Sequence, residues 1–138
     1  MALESAIDAE GLQAGLPYPF EIGTAYGRSV LDPKPCWEGL IGDLRQGVSQ
    51  GIMAARFHRG LAQALITLAI DLAARNGVAR IALSGGVLQN RVLFALVHEG
   101  LGRAGLQVLA HRQVPANDGG LSLGQAAIAA ARLIKQRY

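Results

Sequence analysis

The chain has 138 residues, which suits one domain or one lobe of a larger domain, and 51% of them are hydrophobic. It can bury a real core, but with 5% aromatic residues that core has to be built from aliphatic side chains. The formal net charge is +3, and the basic residues are scattered along the chain, which argues against a nucleic-acid-binding stripe.

The cysteine count and the hydropathy of the sequence indicate where in the cell the protein is expected. Cys36 is the single cysteine, so the chain forms neither an internal disulfide nor a thiolate metal cluster, and a reducing, cytoplasmic location is expected. The N-terminal residues include Glu4, Asp8 and Glu10 and do not resemble a signal peptide. No apolar run reaches the roughly 18 residues that a membrane span requires, so no membrane partner is predicted.

The first half of the chain predicts mostly helices. A helix end is expected over residues 2–9, closed by Gly11, and two short strands over residues 18–22 and 29–31. A short helix over residues 37–45 precedes a long one over residues 49–75. Five aliphatic residues at helical spacing predict the buried stripe of the long helix: Ile52, Leu61, Leu65, Leu68 and Leu72.

The second half predicts an alternating order of strands and helices. Strands are expected over residues 78–83 and 106–110, and helices over residues 89–103 and 119–136. The order helix, strand, helix, strand, helix indicates an α/β fold with a parallel strand pair and helical crossovers. We expect residues 1–138 to form a single lobe.

A glycine-rich loop follows the first of these strands. Ser84, Gly85 and Gly86 lead into a helix, and glycine lets a ligand approach the backbone. The helix N-terminus that follows offers free N–H groups and the positive end of its dipole to an anion such as a phosphate. A plain strand-to-helix turn explains the same spacing. Asn90, within the first turn of the helix, can either cap it or contact a ligand.

A second polar loop follows the next strand. Asn117, Asp118 and Gly119 precede the last helix, and Asp118 can either cap this helix or hold a cation beside a phosphate. The carboxyl ends of adjacent parallel strands lie at one edge of a sheet, where ligands bind in open α/β folds. We therefore expect the two loops to converge.

The histidines add no metal site to this arrangement. No two of His58, His98 and His111 are four residues apart, so no two-histidine helical site is predicted. We expect His58 to be hydrogen-bonded and partly buried, and His98 to lie on the surface. No recognisable arrangement of His and Asp accompanies Ser84, so no hydrolase triad is predicted, and the catalytic residues stay unknown.

Four segments of the chain resemble HypF proteins. Residues 82–91, ALSGGVLQNR, resemble their LSGGVFQN segment, and residues 114–125, VPANDGGLSLGQ, resemble their PxNDGGxxxGQ segment. Residues 55–58, ARFH, and residues 1–4, MALE, are similar to two further HypF segments. The segments follow the family order, and the similarity covers almost the whole chain.

This resemblance implies a fold and an activity. The fold is the C-terminal part of a Kae1-like domain, a lobe of the actin/Hsp70-like (ASKHA) nucleotide-binding fold. The activity is that of a carbamoyltransferase in nickel–iron hydrogenase maturation. Such an enzyme hydrolyses carbamoyl phosphate, forms carbamoyl-adenylate with ATP and passes the carbamoyl group to the C-terminal cysteine of its partner HypE.

The resemblance also implies site residues. Asp118 is implied as a ligand of a divalent metal ion, either iron, zinc or magnesium. The two histidines that accompany this Asp in the family, spaced HxxxH, are absent from the chain. Six residues are implied to bind the nucleotide: Ser84, Gly85, Gly86, Asn90, Asn117 and Gly119.

The missing histidines, and the equally missing acylphosphatase and zinc-finger modules, affect what the chain can do alone. We expect it to be inactive without the remaining half of HypF, and to bind ATP weakly because the cleft of this fold lies between two lobes. We also expect it to self-associate through apolar surface that the other half would cover.

Three alternatives remain open. The enzymes that make threonylcarbamoyl-adenosine on tRNA share the fold and a GGV loop, but their later motif reads DNAAMI where this chain has residues 117–120, and Gln125 favours HypF. Antibiotic O-carbamoyltransferases share the fold as well. A non-catalytic interaction lobe is the third alternative.

Overall fold

The order of helices and strands follows the sequence prediction. The structure is a computed structural model that describes residues 2–7, 15–115 and 117–135. Two short 3₁₀ turns, Gly86–Gln89 and Asp118–Gly120, precede the last two helices. In chain order the elements are α1 (Ala2–Ser5), β1 (Glu21–Ala25), β2 (Arg28–Asp32), α2 (Lys34–Arg45), α3 (Gln50–Asn76), β3 (Arg80–Leu83), α4 (Arg91–Arg103), β4 (Gln107–Ala110) and α5 (Leu121–Lys135).

Some predictions concern residues outside the described part. The N-terminal helix ends at Ser5, earlier than expected, and the predicted closing residue Gly11 lies outside the described residues. Met1 and Ala116, which belong to two of the HypF-like segments, lie outside them too, as does residue 136 at the predicted end of α5.

The two predicted N-terminal strands form an antiparallel hairpin. β1 pairs with β2 from Glu21 opposite Asp32 to Ala25 opposite Arg28, and Tyr26 and Gly27 make the turn with positive φ angles of 52° and 71°. Such left-handed turns match the twist of a hairpin. The first strand begins three residues later than predicted because Tyr18 hydrogen-bonds the backbone of α3 instead, through Arg56 O at 3.2 Å.

The ends of the long helix α3 are those that the sequence indicates. The Ser49 side chain caps its N-terminus by accepting a hydrogen bond from Ile52 N, and Gly77, with a φ of 62°, ends it in the left-handed conformation. The predicted stripe is wrong in part, because Leu72 is 40% exposed. Small residues and one histidine fill the fully buried positions: Gly51, Ala54, Ala55, His58, Gly60, Ala62, Ala64 and Ala73.

Small residues are needed on α3 because backbone packs directly against it. A Cβ atom at Gly60 would lie 2.1 Å from the carbonyl oxygen of Tyr18, far inside van der Waals contact. The fit with α4 is equally close, since a Cβ atom at Gly100 would lie 2.3 Å from Ile66 Cδ1. Which residues of this helix are buried therefore depends on how closely the neighbouring segments pack against it, and not on side-chain hydrophobicity alone.

The predicted parallel pair is confirmed. β3 and β4 pair from Arg80 opposite Gln107 to Leu83 opposite Ala110, with α4 as the crossover. The core of the lobe lies between this pair, α3 and α4. Its buried residues are Ala62, Leu83, Leu93, Val97 and Leu101.

The last helix packs differently from the others. Every residue of α5 is exposed, including apolar ones such as Leu121, Ile128 and Leu133. This helix therefore presents apolar surface of the kind expected on an isolated lobe, and self-association stays a prediction. Within the described ranges, no helix has both the length and the apolar character that crossing a membrane requires.

A partly buried polar network connects α2 to α3. Asp43 Oδ2 accepts hydrogen bonds from the Tyr18 hydroxyl at 2.6 Å and from Arg56 Nη1 at 2.5 Å. The Tyr18 hydrogen bond, with Arg56 beside it, lowers the pKa of the Asp43 carboxyl, although partial burial opposes that shift. A lowered carboxyl pKa stabilises the folded state above the pKa of the unfolded chain, and this contribution is lost as the pH falls through the folded pKa.

Replacing Asp43 should remove this pH-dependent contribution. We expect Asp43→Asn to lower the free energy of unfolding at pH 7 by about 1.5 kcal/mol, the value of a charge-assisted hydrogen bond. Urea unfolding at several pH values measures it, and the gap to the unsubstituted chain should close below pH 4. The exposed pair of Asp71 with Arg75 supplies the control, Asp71→Asn, which should change little. A gap that is the same at all pH values contradicts the assignment.

Candidate functional site

The two polar loops leave the parallel strand pair at the same edge, as the sequence predicts. They follow β3 and β4, and residues that flank them line a pocket of about 350 Å³. Leu88 and Gln89 lie in the 3₁₀ turn that follows the first loop, and Val114 and Pro115 lie before the second loop. The remaining lining residues are Leu83, Arg91, Phe94 and His111.

The first loop presents bare backbone. Gly85 has a φ of 106°, which residues with a side chain rarely adopt, and Cβ atoms built at Gly85 and Gly86 would meet nothing within 4 Å. In the described parts of the chain, the N–H groups of Gly86 and Val87 have no protein acceptor. The loop therefore offers a ligand two unpaired donors and open space above them.

The N-terminus of α4 is less available than the sequence suggested. A carboxylate oxygen of Glu4 accepts a hydrogen bond from Arg91 N at 2.7 Å, and Asn90 Oδ1 accepts one from Leu93 N at 2.9 Å. Side chains thus occupy two of the donors that we expected to be free. The donors left for an anion are chiefly those of the preceding turn.

Asn90 acts as a helix cap. Besides capping α4, its Nδ2 donates to His58 Nε2 at 2.7 Å, and His58 Nδ1 donates to Ala54 O at 2.8 Å. His58 is 2% exposed, so the expected hydrogen-bonded histidine is confirmed and is more deeply buried than predicted. Each polar atom of the Asn90 amide keeps one further hydrogen or lone pair, and its contact with a nucleotide stays a prediction.

Ser84 has a partner that sequence reasoning missed. Its Oγ lies 2.9 Å from His111 Nε2, and both residues are exposed. Leu83 pairs with Ala110 at the end of the parallel register, so the next residue of each strand is adjacent to the other; the predicted strand pairing was the available signal. No carboxylate in the described part of the chain hydrogen-bonds His111, so no triad forms.

The second loop is closed by Asn117. Its Oδ1 accepts a hydrogen bond from Gly119 N, and its carbonyl oxygen accepts one from Gly120 N, both at 3.0 Å. Asn117 and not Asp118 therefore caps this turn. The Asp118 carboxylate is exposed, and among residues 2–7, 15–115 and 117–135 it has no hydrogen-bond or ion-pair partner. It is free to bind a cation.

Comparison with known proteins identifies the family. A sequence model of the HypF family, described as "Carbamoyltransferase, Kae1-like Domain, second subdomain", matches residues 1–125. The chain belongs to this HypF family. Its Kae1-like subdomain accounts for the observed α/β lobe and its parallel strand pair.

Curated HypF relatives support the assignment along most of the chain. The carbamoyltransferase HypF homolog of Cupriavidus necator is 44% identical over 93 residues, which are 67% of this chain and 22% of that protein. The carbamoyltransferase HypF of Rhizobium leguminosarum bv. viciae is 39% identical over 108 residues, 78% of this chain and 14% of that one. The chain thus spans less than a quarter of the length of these two HypF proteins.

Solved HypF structures share the fold. Full-length HypF in its phosphate- and nucleotide-bound form superposes with a TM-score of 0.84 and 34% identity over 95% of this chain and 17% of that one. HypF of T. kodakarensis superposes with a TM-score of 0.72 at 24% identity, which supports the fold alone.

The described residues form only part of a site for the metal ion that the HypF resemblance implies. Asp118 is a suitable oxygen ligand for a hard divalent cation. Among the described residues, however, no three His, Cys, Asp or Glu side chains lie close enough to hold a metal ion. The described residues offer one carboxylate to such a site, and its other ligands would lie outside them.

Proposed function

We propose that this chain forms half of the nucleotide site of a HypF-type carbamoyltransferase. In this proposal carbamoyl phosphate is hydrolysed to carbamate and phosphate elsewhere in HypF, and carbamate and ATP form carbamoyl-adenylate with release of pyrophosphate. The carbamoyl group then passes to the C-terminal cysteine of HypE with release of AMP. One observation carries the proposal above all. Ser84 and His111, the first residues after β3 and β4, lie 2.9 Å apart, so the bare backbone of Gly85 and Gly86 and the segment that leads to the unpaired Asp118 leave the strand pair at the same edge.

The chemistry of these two loops suits a nucleoside triphosphate. The unpaired N–H groups of Gly86 and Val87 are donors for phosphate oxygens, and the absence of a Cβ at Gly86 allows close approach. In this proposal the exposed Asp118 carboxylate of the second loop holds a cation that neutralises phosphate charge. The nucleotide-bound HypF that this chain resembles supports the same ligand class.

The residues here support a binding role and not a complete catalytic one. No general base is evident among the described residues of the two loops, since Ser84 and His111 pair with each other. We therefore assign to this chain the orientation of ATP and one cation ligand. Residues that activate the carbamoyl group are expected in the part of HypF that this chain does not span.

The proposal is tested with ATP in two settings. The first is the chain alone. The second is a HypF chimera: Rhizobium leguminosarum HypF in which this chain replaces the residues that match it. We expect calorimetry to give ATP binding to the HypF chimera at least about tenfold tighter than to the chain alone, because half a cleft buries little ligand surface. Equal affinity in both settings contradicts a divided site.

A further inference from the structure

A series of hydrogen bonds connects the N-terminal part of α3 to the start of α4. Ala54 O accepts from His58 Nδ1, His58 Nε2 accepts from Asn90 Nδ2, and Asn90 Oδ1 accepts from Leu93 N. The three distances are 2.8, 2.7 and 2.9 Å. The groups at the two ends of this series are backbone atoms of helices, so they determine which atom donates and which accepts in each hydrogen bond.

The donor and acceptor roles follow from the Leu93 N–H group. Leu93 N–H can only donate, so the Asn90 atom that faces it has to be the oxygen, which turns the amide NH₂ toward His58. His58 Nε2 therefore has to be an acceptor without a proton, and its proton sits on Nδ1, where the Ala54 carbonyl accepts it. A single arrangement of the Asn90 amide and of the imidazole satisfies every group.

The imidazole is held against rotation. His58 is 2% exposed, and the ring of Phe57 lies against it with centroids 5.9 Å apart and an angle of 83° between the planes. Phe57 in turn contacts Phe20 at 6.1 Å. A cavity of about 440 Å³ is lined by His58 and Asn90 together with Gly86 and Val87 of the first loop. At 2% exposure the imidazole forms part of the cavity wall but offers a ligand almost no accessible surface.

We propose that His58 is a positioning residue for the Gly86–Gln89 turn. Asn90 both ends this turn and caps α4, so an imidazole that fixes the Asn90 amide fixes the turn as well. In the proposed nucleotide site, His58 keeps the Gly86 and Val87 donors in place without touching ATP. Its effect on ATP rests on the proposed function, whereas its effect on Asn90 does not.

The local effect is measured by hydrogen exchange in the chain itself. His58→Phe keeps a ring but removes the acceptor, so the Asn90 cap should loosen and Leu93 N–H should exchange about fivefold faster, as expected for a weakened N-cap. His58→Gln places an amide oxygen near the position of Nε2 and should restore slow exchange. His98→Phe, on the exposed side of α4, is the matched control and should leave Leu93 unchanged.

The effect on the ligand is measured in the HypF chimera. We expect His58→Phe to weaken ATP binding about tenfold, as the loss of a supporting hydrogen bond does at other sites, and His58→Gln to restore most of it. A residue that only fills space gives a different pattern, in which Phe is tolerated and Gln is not.

The two measurements separate the two proposals. If the unsubstituted HypF chimera does not bind ATP, the proposed function is refuted. The exchange rate of Leu93 N–H then still tests whether His58 positions Asn90. Unchanged Leu93 exchange in His58→Phe overturns the positioning role. If the HypF chimera binds ATP and His58→Phe speeds Leu93 exchange but leaves ATP affinity unchanged, His58 supports the helix cap only and the inference about the turn is wrong.

Discussion

Gly60→Ala should destabilise the lobe strongly, although the substitution adds only one methyl group. The added Cβ would lie 2.1 Å from Tyr18 O and 3.2 Å from Tyr18 N, so backbone has to move. The Tyr18 N–H donates to Arg56 O, and the Tyr18 hydroxyl donates to Asp43, so the displacement also disturbs both hydrogen bonds. We expect a loss of about 3 kcal/mol in the free energy of unfolding, the upper range for overpacking.

Gly102→Ala is the matched control for this substitution. Gly102 lies within α4, and a Cβ atom there would meet nothing within 4 Å. Alanine in a helix is favoured over glycine, so this variant should gain about 0.5–1 kcal/mol. Urea unfolding of both variants measures the contrast. Equal stability of Gly60→Ala and Gly102→Ala would show that the segment leading into the hairpin does not pack closely on α3.

Gly86→Ala should separate binding from folding. A Cβ at Gly86 would meet no protein atom within 4 Å, and Gly86 lies in a 3₁₀ turn, so its stability should be nearly unchanged. If ATP approaches the Gly86 and Val87 donors, however, the methyl group stands in its path. In the HypF chimera we expect carbamoyl-phosphate-dependent exchange of pyrophosphate into ATP to fall about a hundredfold, the cost of a misplaced reactant.

The same HypF chimera carries the control for this prediction. Gly102→Ala adds a methyl group on α4 away from both loops and should leave the exchange rate unchanged. A Gly86→Ala variant that folds and exchanges at the unsubstituted rate would mean that the nucleotide does not approach this turn. The pocket edge would then serve another ligand or none.

The sequence predicts local features of this fold well. Ser49 and Gly77 mark the ends of α3 because capping depends on a few neighbouring residues. The parallel pair and the shared edge from which the two loops start follow from the order of elements, since a helical crossover places both strand ends at one edge. These parts of the candidate site are predictable without knowing how the helices pack.

Contacts between distant residues are not predictable in this way. Glu4 caps α4 across 87 residues of sequence, and His58 reaches Asn90 across 32. Both depend on how α1 and α3 approach α4, which no local pattern specifies. For the same reason the sequence pattern did not predict burial of the small residues of α3, such as Gly60, which lies against the Tyr18 backbone.

The most direct test of the account is pyrophosphate exchange by the unsubstituted HypF chimera. We expect exchange of labelled pyrophosphate into ATP that requires carbamoyl phosphate, that is absent from the chain alone, and that is lost on Asp118→Ala. Exchange in the HypF chimera that persists without the Asp118 carboxylate, or robust exchange by the chain alone, would contradict the account of two converging loops as half of an adenylating site.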